Sequence, residues 1–294
     1  MKWLLPHLNA LPGAKVRKPL GAIFERLMAD PPWKGGLYTP AASGAGLSPA
    51  IWSDCPRLLM LMDPLAGHFV GDDFTLSNGE SYTTAKNYTL AGANGTFTHP
   101  AGDPDGVALL STSTTAQNEA NVNVNSGVGL LKAAATTTWW FETRVNLNQI
   151  TTGQGAFVGL VDDQVTVGAD FMTDTTMALK VQGLLGFQVI SPVGSINANW
   201  QSVHVKASGA RVALNATALA GSTGWNKFGL KCTTNGTVGL VTYYVNGVQD
   251  PTSVLTSAAN FPLDLYMLPV WAVKTGDTTN NTLSVDWWYA AQLR

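Results

Sequence analysis

The chain has 294 residues, of which 45% are hydrophobic and only 12% charged, with a formal net charge of −2. That hydrophobic content fills a core and argues against a disordered chain, while the near-neutral balance gives no basic footprint for nucleic acid. Charged residues usually make up about a quarter of a protein, so Thr, Ser, Asn and Gln must supply much of the polar surface here.

Residues 1–70 read differently from the rest. Pro and Gly recur (Pro6, Pro12, Gly13, Pro19, Pro31, Pro32, Gly35, Gly36, Pro40), which suits an extended arm. Pro6, His7 and Asn9 interrupt the first apolar residues too early for a secretion signal, and no run reaches the about 18 apolar residues that span a membrane. One amphipathic helix is expected within the arm. Leu20, Ile23, Phe24, Leu27 and Met28 recur at i, i+3, i+4, i+7 and i+8, with Pro19 opening the turn and Asp30, Pro31 and Pro32 stopping it. Residues 1–34 carry six cations against two anions, a net of +4, which leaves −6 on the remainder. A mildly basic arm on an acidic body points to a contact outside its own domain. The apolar helix face, with Trp33 beyond it, is the expected partner-binding surface, and one basic residue in this short helix is too few for a membrane surface. The apolar run from Arg57 to Pro64 is too short to assign by period.

From residue 71 the punctuation is that of an all-β domain, with short alternating runs between Gly, Asn, Asp and Thr. Candidate strands are 96–99, 107–111, 120–124, 137–146, 155–161, 178–182, 187–190, 202–205, 227–233, 238–245, 263–273 and 283–293. Asn235-Gly236 and Asn246-Gly247 mark hairpin turns, where Asn-Gly supplies positive φ angles. The closing stretch alternates Leu283, Val285, Trp287 and Tyr289 against Ser284, Asp286, Trp288 and Ala290, the period of a half-buried strand.

The chemistry-bearing residues are sparse. Cys55 and Cys232 are too few for a disulfide framework and lack zinc-site spacing, so both are expected as free buried thiols. His7, His68, His99 and His204 are far apart, no phosphate-cradling Gly-rich motif is present, and Ser202-Val203-His204 has no glycine elbow. Glu25, Glu80, Glu119 and Glu142 are the only glutamates, and no two are neighbours. Glu142, two residues before Arg144, reads as half of a surface ion pair. No metal ligand set and no cofactor are expected.

Three segments together resemble the concanavalin A-like jelly roll of laminin-G-type domains, legume lectins and some β-glucanases. They are 140–147 with 155–160, 225–231 with 241–247, and 283–289. The resemblance covers about residues 71–294 and implies an all-β, concanavalin A-like jelly-roll β-sandwich preceded by the N-terminal arm. The glucanases of that fold carry a Glu-x-Asp-x-x-Glu cluster, since two carboxylates must flank the sugar bond; this chain has none, so no enzyme activity is expected. The lectins hold Ca²⁺ near a sugar-stacking aromatic. Asp103-Pro104-Asp105-Gly106 and Asp162-Asp163 read as turns rather than Ca²⁺ ligands, and Trp140, Trp225 and Trp288 are the candidate carbohydrate-binding residues if a glycan is bound. An arm, a low-charge surface and no catalytic cluster are similar to virion structural proteins of tailed bacteriophages, most of all capsid decoration (cement) proteins. That likeness implies a protein made in the host cytoplasm and carried on the capsid exterior. Its partners would be the major capsid protein or other virion subunits and copies of itself, a homotrimer by analogy. A carbohydrate-binding module of a phage fibre or baseplate, or a tail or neck protein, is the alternative.

Overall fold

A computed structural model describes residues 46–57, 60, 63, 65–74, 88–100, 106–124, 130–163, 170–180, 183–197, 199–206, 210–214 and 224–294. The chain separates into two units, Met1–Pro49 and Ala50–Arg294. The expected helix face Leu20, Ile23, Phe24, Leu27, Met28 and Trp33 lies outside the described residues, as do Glu25, Glu80 and Asp103 to Asp105.

The second unit is a sandwich of two antiparallel sheets. Sheet A runs β14 (Val248–Leu255), β13 (Gly239–Val245), β12 (Trp225–Thr234), β7 (Trp139–Leu147), β16 (Thr282–Leu293), β4 (Ala108–Ser111) and β3 (Thr96–Thr98), with β1 (Gly67–Asp72) also paired to β16. Sheet B runs β11 (Val212–Leu214), β10 (Gln201–Val205), β9 (Leu184–Ser191), β8 (Gln154–Asp162), β15 (Tyr266–Thr275), β5 (Glu119–Val124) and β2 (Tyr88–Ala91), with β6 (Leu131–Lys132) also on β15. Strands adjacent in sequence often lie apart in space, so long connections cross between the sheets in the jelly-roll manner. β1 starts at Gly67, four residues before the body was expected to begin.

The inner faces meet through aromatic rings. Phe187 of sheet B lies 4.7 Å from Phe228 of sheet A, which Trp200 also touches at 4.6 Å, and Trp271 of sheet B lies 6.1 Å from Trp288 of sheet A. Each such pair adds about 0.5–1.5 kcal/mol beyond the area it removes from water. Trp139, Phe141, Val145 and Leu147 of β7 complete the same core.

The expected alternation of the last strand holds only for its first half. Leu283 and Val285 point inward, then a β-bulge between Val285 and Trp287 shifts the register, and Trp288 and Ala290 become the core residues. One extra residue in a strand reverses every side chain after it, so Trp287 and Tyr289 leave the core.

Both Asn-Gly turns are hairpin turns: the first joins the two strands expected of it, and the second joins β13 to β14, a strand that was not expected. At Asn246 and Gly247 both φ angles are positive (52° and 80°), the geometry of the tightest hairpin turn. In the Asn235-Gly236 turn only Gly236 has a positive φ, 90°, because four residues separate the paired Thr234 and Gly239. The expected strand at 178–182 is absent from the described part of that stretch; Leu179 makes a single bridge to Met172. The structure adds β1, β2, β6, β11 and β14. Asp250-Pro251 hid β14, since Pro lacks a ladder N–H and is tolerated only at an edge, which is where β14 lies.

Cys55 and Cys232 are free and buried, and burial pushes both thiols up to about 12. The native protein should therefore leave a thiol reagent such as DTNB unreacted at pH 8, with two thiols titrating once it is unfolded in guanidinium. Rapid reaction of either in the folded protein would show that its cover opens readily.

Candidate functional site

In a two-sheet sandwich the inner faces are core, so a ligand groove must lie on an outer face, at an end or along an edge. The central strands of both outer faces are covered by the chain's own segments.

On sheet A, the strand period turns Trp140, Glu142 and Arg144 of β7 away from the core. They meet the segment Ile51–Arg57, which starts within the one-turn helix α1 (Pro49–Trp52). Ile51 sits over Gly229, where a Cβ would come within 2.1 Å of its Cδ1. Only glycine leaves room for it. Trp52 Nε1 donates to Glu142 Oε2 at 2.7 Å. Asp54 Oδ1 accepts from Trp140 Nε1 at 3.0 Å and pairs with Lys231 Nζ at 2.9 Å. The Arg57 guanidinium lies 5.3 Å from the Trp52 ring centre and 5.4 Å from that of Phe69, within cation–π range.

On sheet B, Phe157 and Val161 of β8, Leu184 of β9, Val203 of β10 and Val270 of β15 form a second apolar cluster beneath Phe171, Met172 and Leu179. The strap 170–180 that carries this cover is anchored by charge. Glu119 of β5 accepts the backbone N–H groups of Phe171 and Met172 and a bond from Asn121 Nδ2 at 2.7 Å. Lys274 of β15 lies 2.7 Å from Asp170, 3.0 Å from Asp174 and 3.5 Å from Glu119. Both Glu119 and Lys274 are fully buried. Burial raises the Glu119 carboxyl above its ordinary value, and the two N–H groups and Lys274 offset only part of that rise. Burial pulls Lys274 down, yet the bond to Asp170 and the charges of Glu119 and Asp174 outweigh it and hold the amine above its usual 10.5.

The two described glutamates therefore lie on opposite outer faces, each closed over and each used as an anchor. They cannot flank one sugar bond, which needs carboxylates about 5–5.5 Å apart for retention. Glu142 is not half of a surface ion pair: it is fully buried against Trp52, while Arg144 pairs with Asp286 at the bulge. Among the described residues no group of three or more His, Cys, Asp and Glu is placed to hold a metal.

The candidate sugar-stacking tryptophans separate. Trp140 is buried under Asp54, and Trp288 is buried in the core with Nε1 donating to Tyr88 Oη at 2.7 Å. Neither ring can receive a sugar. The bulge put Trp288 inside, and the segment Ile51–Arg57 covered Trp140; neither feature has a local sequence signal. Trp225 is 36% exposed at the start of β12, with the Arg144 guanidinium 4.5 Å from its ring centre.

No family model matches the chain, and no curated protein matches it. Among solved structures it is similar to an endo-1,3-β-glucanase from Streptomyces sioyaensis, at 12% identity over 79% of this chain and 98% of that one, with a TM-score of 0.53. A β-1,3-glucanase from Mycobacterium marinum is 13% identical over 75% of this chain and 97% of that one, with a TM-score of 0.50. Peanut lectin is 11% identical over 77% and 99% of the two chains, with a TM-score of 0.45. Identities this low carry the architecture and none of the chemistry. The fold is a concanavalin A-like jelly-roll β-sandwich.

Proposed function

We propose that this is a non-catalytic structural protein of a virus particle, of the capsid-decoration kind, bound to the shell through its N-terminal arm. The cover over the central strands of both outer faces carries the reading. Trp52 lies over sheet A and Phe171 over sheet B, and Glu142 and Glu119 serve as anchors for those covers. A low-charge surface rich in Thr and Asn suits lasting contact with other subunits. Such a protein stabilises a shell by adding buried area across joints between major capsid subunits. At roughly 25 cal/mol per Å² of apolar surface, a helix face of a few hundred Å² contributes several kcal/mol before ordering costs. Leu20, Ile23, Phe24, Leu27, Met28 and Trp33 are assigned to that contact.

The second reading, a carbohydrate-binding module, rests on Trp225, the candidate ring that remains partly exposed. One experiment separates them. Removal of residues 1–36 should leave a folded, soluble sandwich that no longer joins particles, while a glycan array should give no hit. Undiminished particle binding by the truncated protein would sink the arm assignment. A defined glycan hit that disappears with Trp225→Ala would replace the structural reading with the second.

A further inference from the structure

His204 is a buried titratable group that neither cover uses as an anchor. Val203 and Val205 of β10 belong to the apolar cluster on the outer face of sheet B, so the strand period turns His204 inward. It is 3% exposed, and its Nδ1 has no hydrogen-bond partner among the described residues. Leu185 of β9 and Val212 of β11 are its neighbours across the ladder. Facing it is the ring of Phe261, with 6.4 Å between ring centres. Burial holds the imidazole below its ordinary 6.5.

Phe261 is carried on a short flap. Ala258 N, Phe261 N and Leu263 N donate to Leu255 O, Ala258 O and Phe261 O in turn, so these bonds stay within the segment. The flap is tied to the body at its two ends, by Thr256 N to Gly239 O and Asp264 N to Ala133 O, each at 2.9 Å. Between those ties its grip is apolar: Phe261 and Ala258 pack into the main core.

Few charged or titratable groups surround the ring. β10 adds half-buried Lys206, exposed Arg211 precedes Val212, and the flap ends at exposed Asp264. β9 has no titratable side chain. Across the sandwich, Cys232 of β12 and Tyr243 of β13 stay protonated, since burial pushes both up. Asp250 of β14 is 1% exposed beside Tyr243, and its Oδ1 accepts Thr252 N at 2.7 Å. Burial is the one cause of the His204 shift, so none of these carboxylates is close enough to hold an imidazolium there.

We propose that His204 and Phe261 form an acid-sensitive latch: a proton on His204 releases the flap 257–263 and opens this end of the sandwich. A neutral imidazole can lie against Phe261 with one nitrogen unbonded. The imidazolium carries an N–H donor on both nitrogens, and the donor at Nδ1 would have no acceptor until water reached it. The closed form binds the proton more weakly than the open form. Closure is therefore favoured above the ordinary 6.5 and is lost as pH falls below it. The latch does not depend on the virion reading.

The test is a pH titration of the full chain by NMR of the histidine ring protons, joined to amide hydrogen exchange. His204→Leu and His68→Gln are the variants, because burial also depresses the His68 ring. The wild-type His204 ring should titrate below 6.5, a measurement that needs no variant to fold. Exchange at Phe261, Leu263 and β10, corrected for the intrinsic rate, should quicken at least about five-fold between about pH 7.5 and about pH 5, with β7 unchanged. His204→Leu should abolish that acid quickening, and His68→Gln should keep it. A His204 ring titrating at or above 6.5, a flap equally protected at both pH values, or quickening that survives in His204→Leu would each overturn the proposal. Quickening abolished by His68→Gln would overturn it in favour of a switch on β1.

Discussion

Lys274→Met should lower the unfolding free energy by about 3–5 kcal/mol, the usual cost of removing one partner from a buried ion network. Glu119 would keep its burial and its two backbone donors but lose its only cation within 4 Å among the described residues, and Asp170 would lose its 2.7 Å partner. The strap 170–180 would loosen first, since Glu119 and Lys274 hold it to sheet B. Urea unfolding monitored by tryptophan fluorescence gives the magnitude, and hydrogen exchange at Phe171 and Met172 gives the location. A loss below about 1 kcal/mol would mean that water replaces the amine readily and that the network is not an anchor.

A pH signature accompanies this change. Lys274 is held above 10.5 in the folded state, so its contribution is fully present below 10.5 and disappears as pH rises through the folded value. The wild type should thus show an alkaline loss of stability above about pH 10.5 that Lys274→Met lacks. The raised Glu119 carboxyl acts in the same direction at lower pH: its proton binds more tightly in the folded state, so acidification costs no stability through this group.

Trp52→Ala should cost about 3–5 kcal/mol, as for other buried aromatic truncations, and release the cover of sheet A. Trp52 is 2% exposed, bonds Glu142 and supports the Arg57 guanidinium. Trp52→Phe keeps most of the ring volume and removes the N–H, so its cost should be about 1–3 kcal/mol, that of weakening a buried carboxylate's bonding. In the alanine variant the emission of Trp140 should shift to the red as its Asp54 cover lifts. An unshifted spectrum together with unchanged stability would show that Ile51–Arg57 is not a structural part of the sandwich.

Much of the fold was legible in advance because a strand declares itself locally. The runs 137–146, 155–161 and 227–233 alternate or are bounded by turn residues and coincide within two residues with β7, β8 and β12, and two Asn-Gly pairs marked hairpins where the structure has them. β14 was missed because Asp250-Pro251 resembles an interruption, and an edge strand tolerates what an inner strand cannot. Trp288 was assigned to the wrong face because alternation carries no mark of a bulge: the extra residue at Asp286 is specified by the pairing with β7 and by Arg144. Glu142 was misread for a related reason. Its partner lies 90 residues away, and a neighbouring Arg144 suggested a local pair that does not form.

Period, turn chemistry and composition alone determined that this chain builds a two-layer β structure with free buried thiols and no two neighbouring glutamates. Those properties depend on residues a few positions apart, where backbone geometry dictates which side chains share a face. Tertiary structure alone decided that the central strands of both outer faces are covered and that Glu119 and Glu142 face opposite ways as anchors. Each of these rests on contacts between distant segments, such as Lys274 with Asp170 across 104 residues. No periodicity records such meetings, because they are set by how the two sheets stack and what then fits over them.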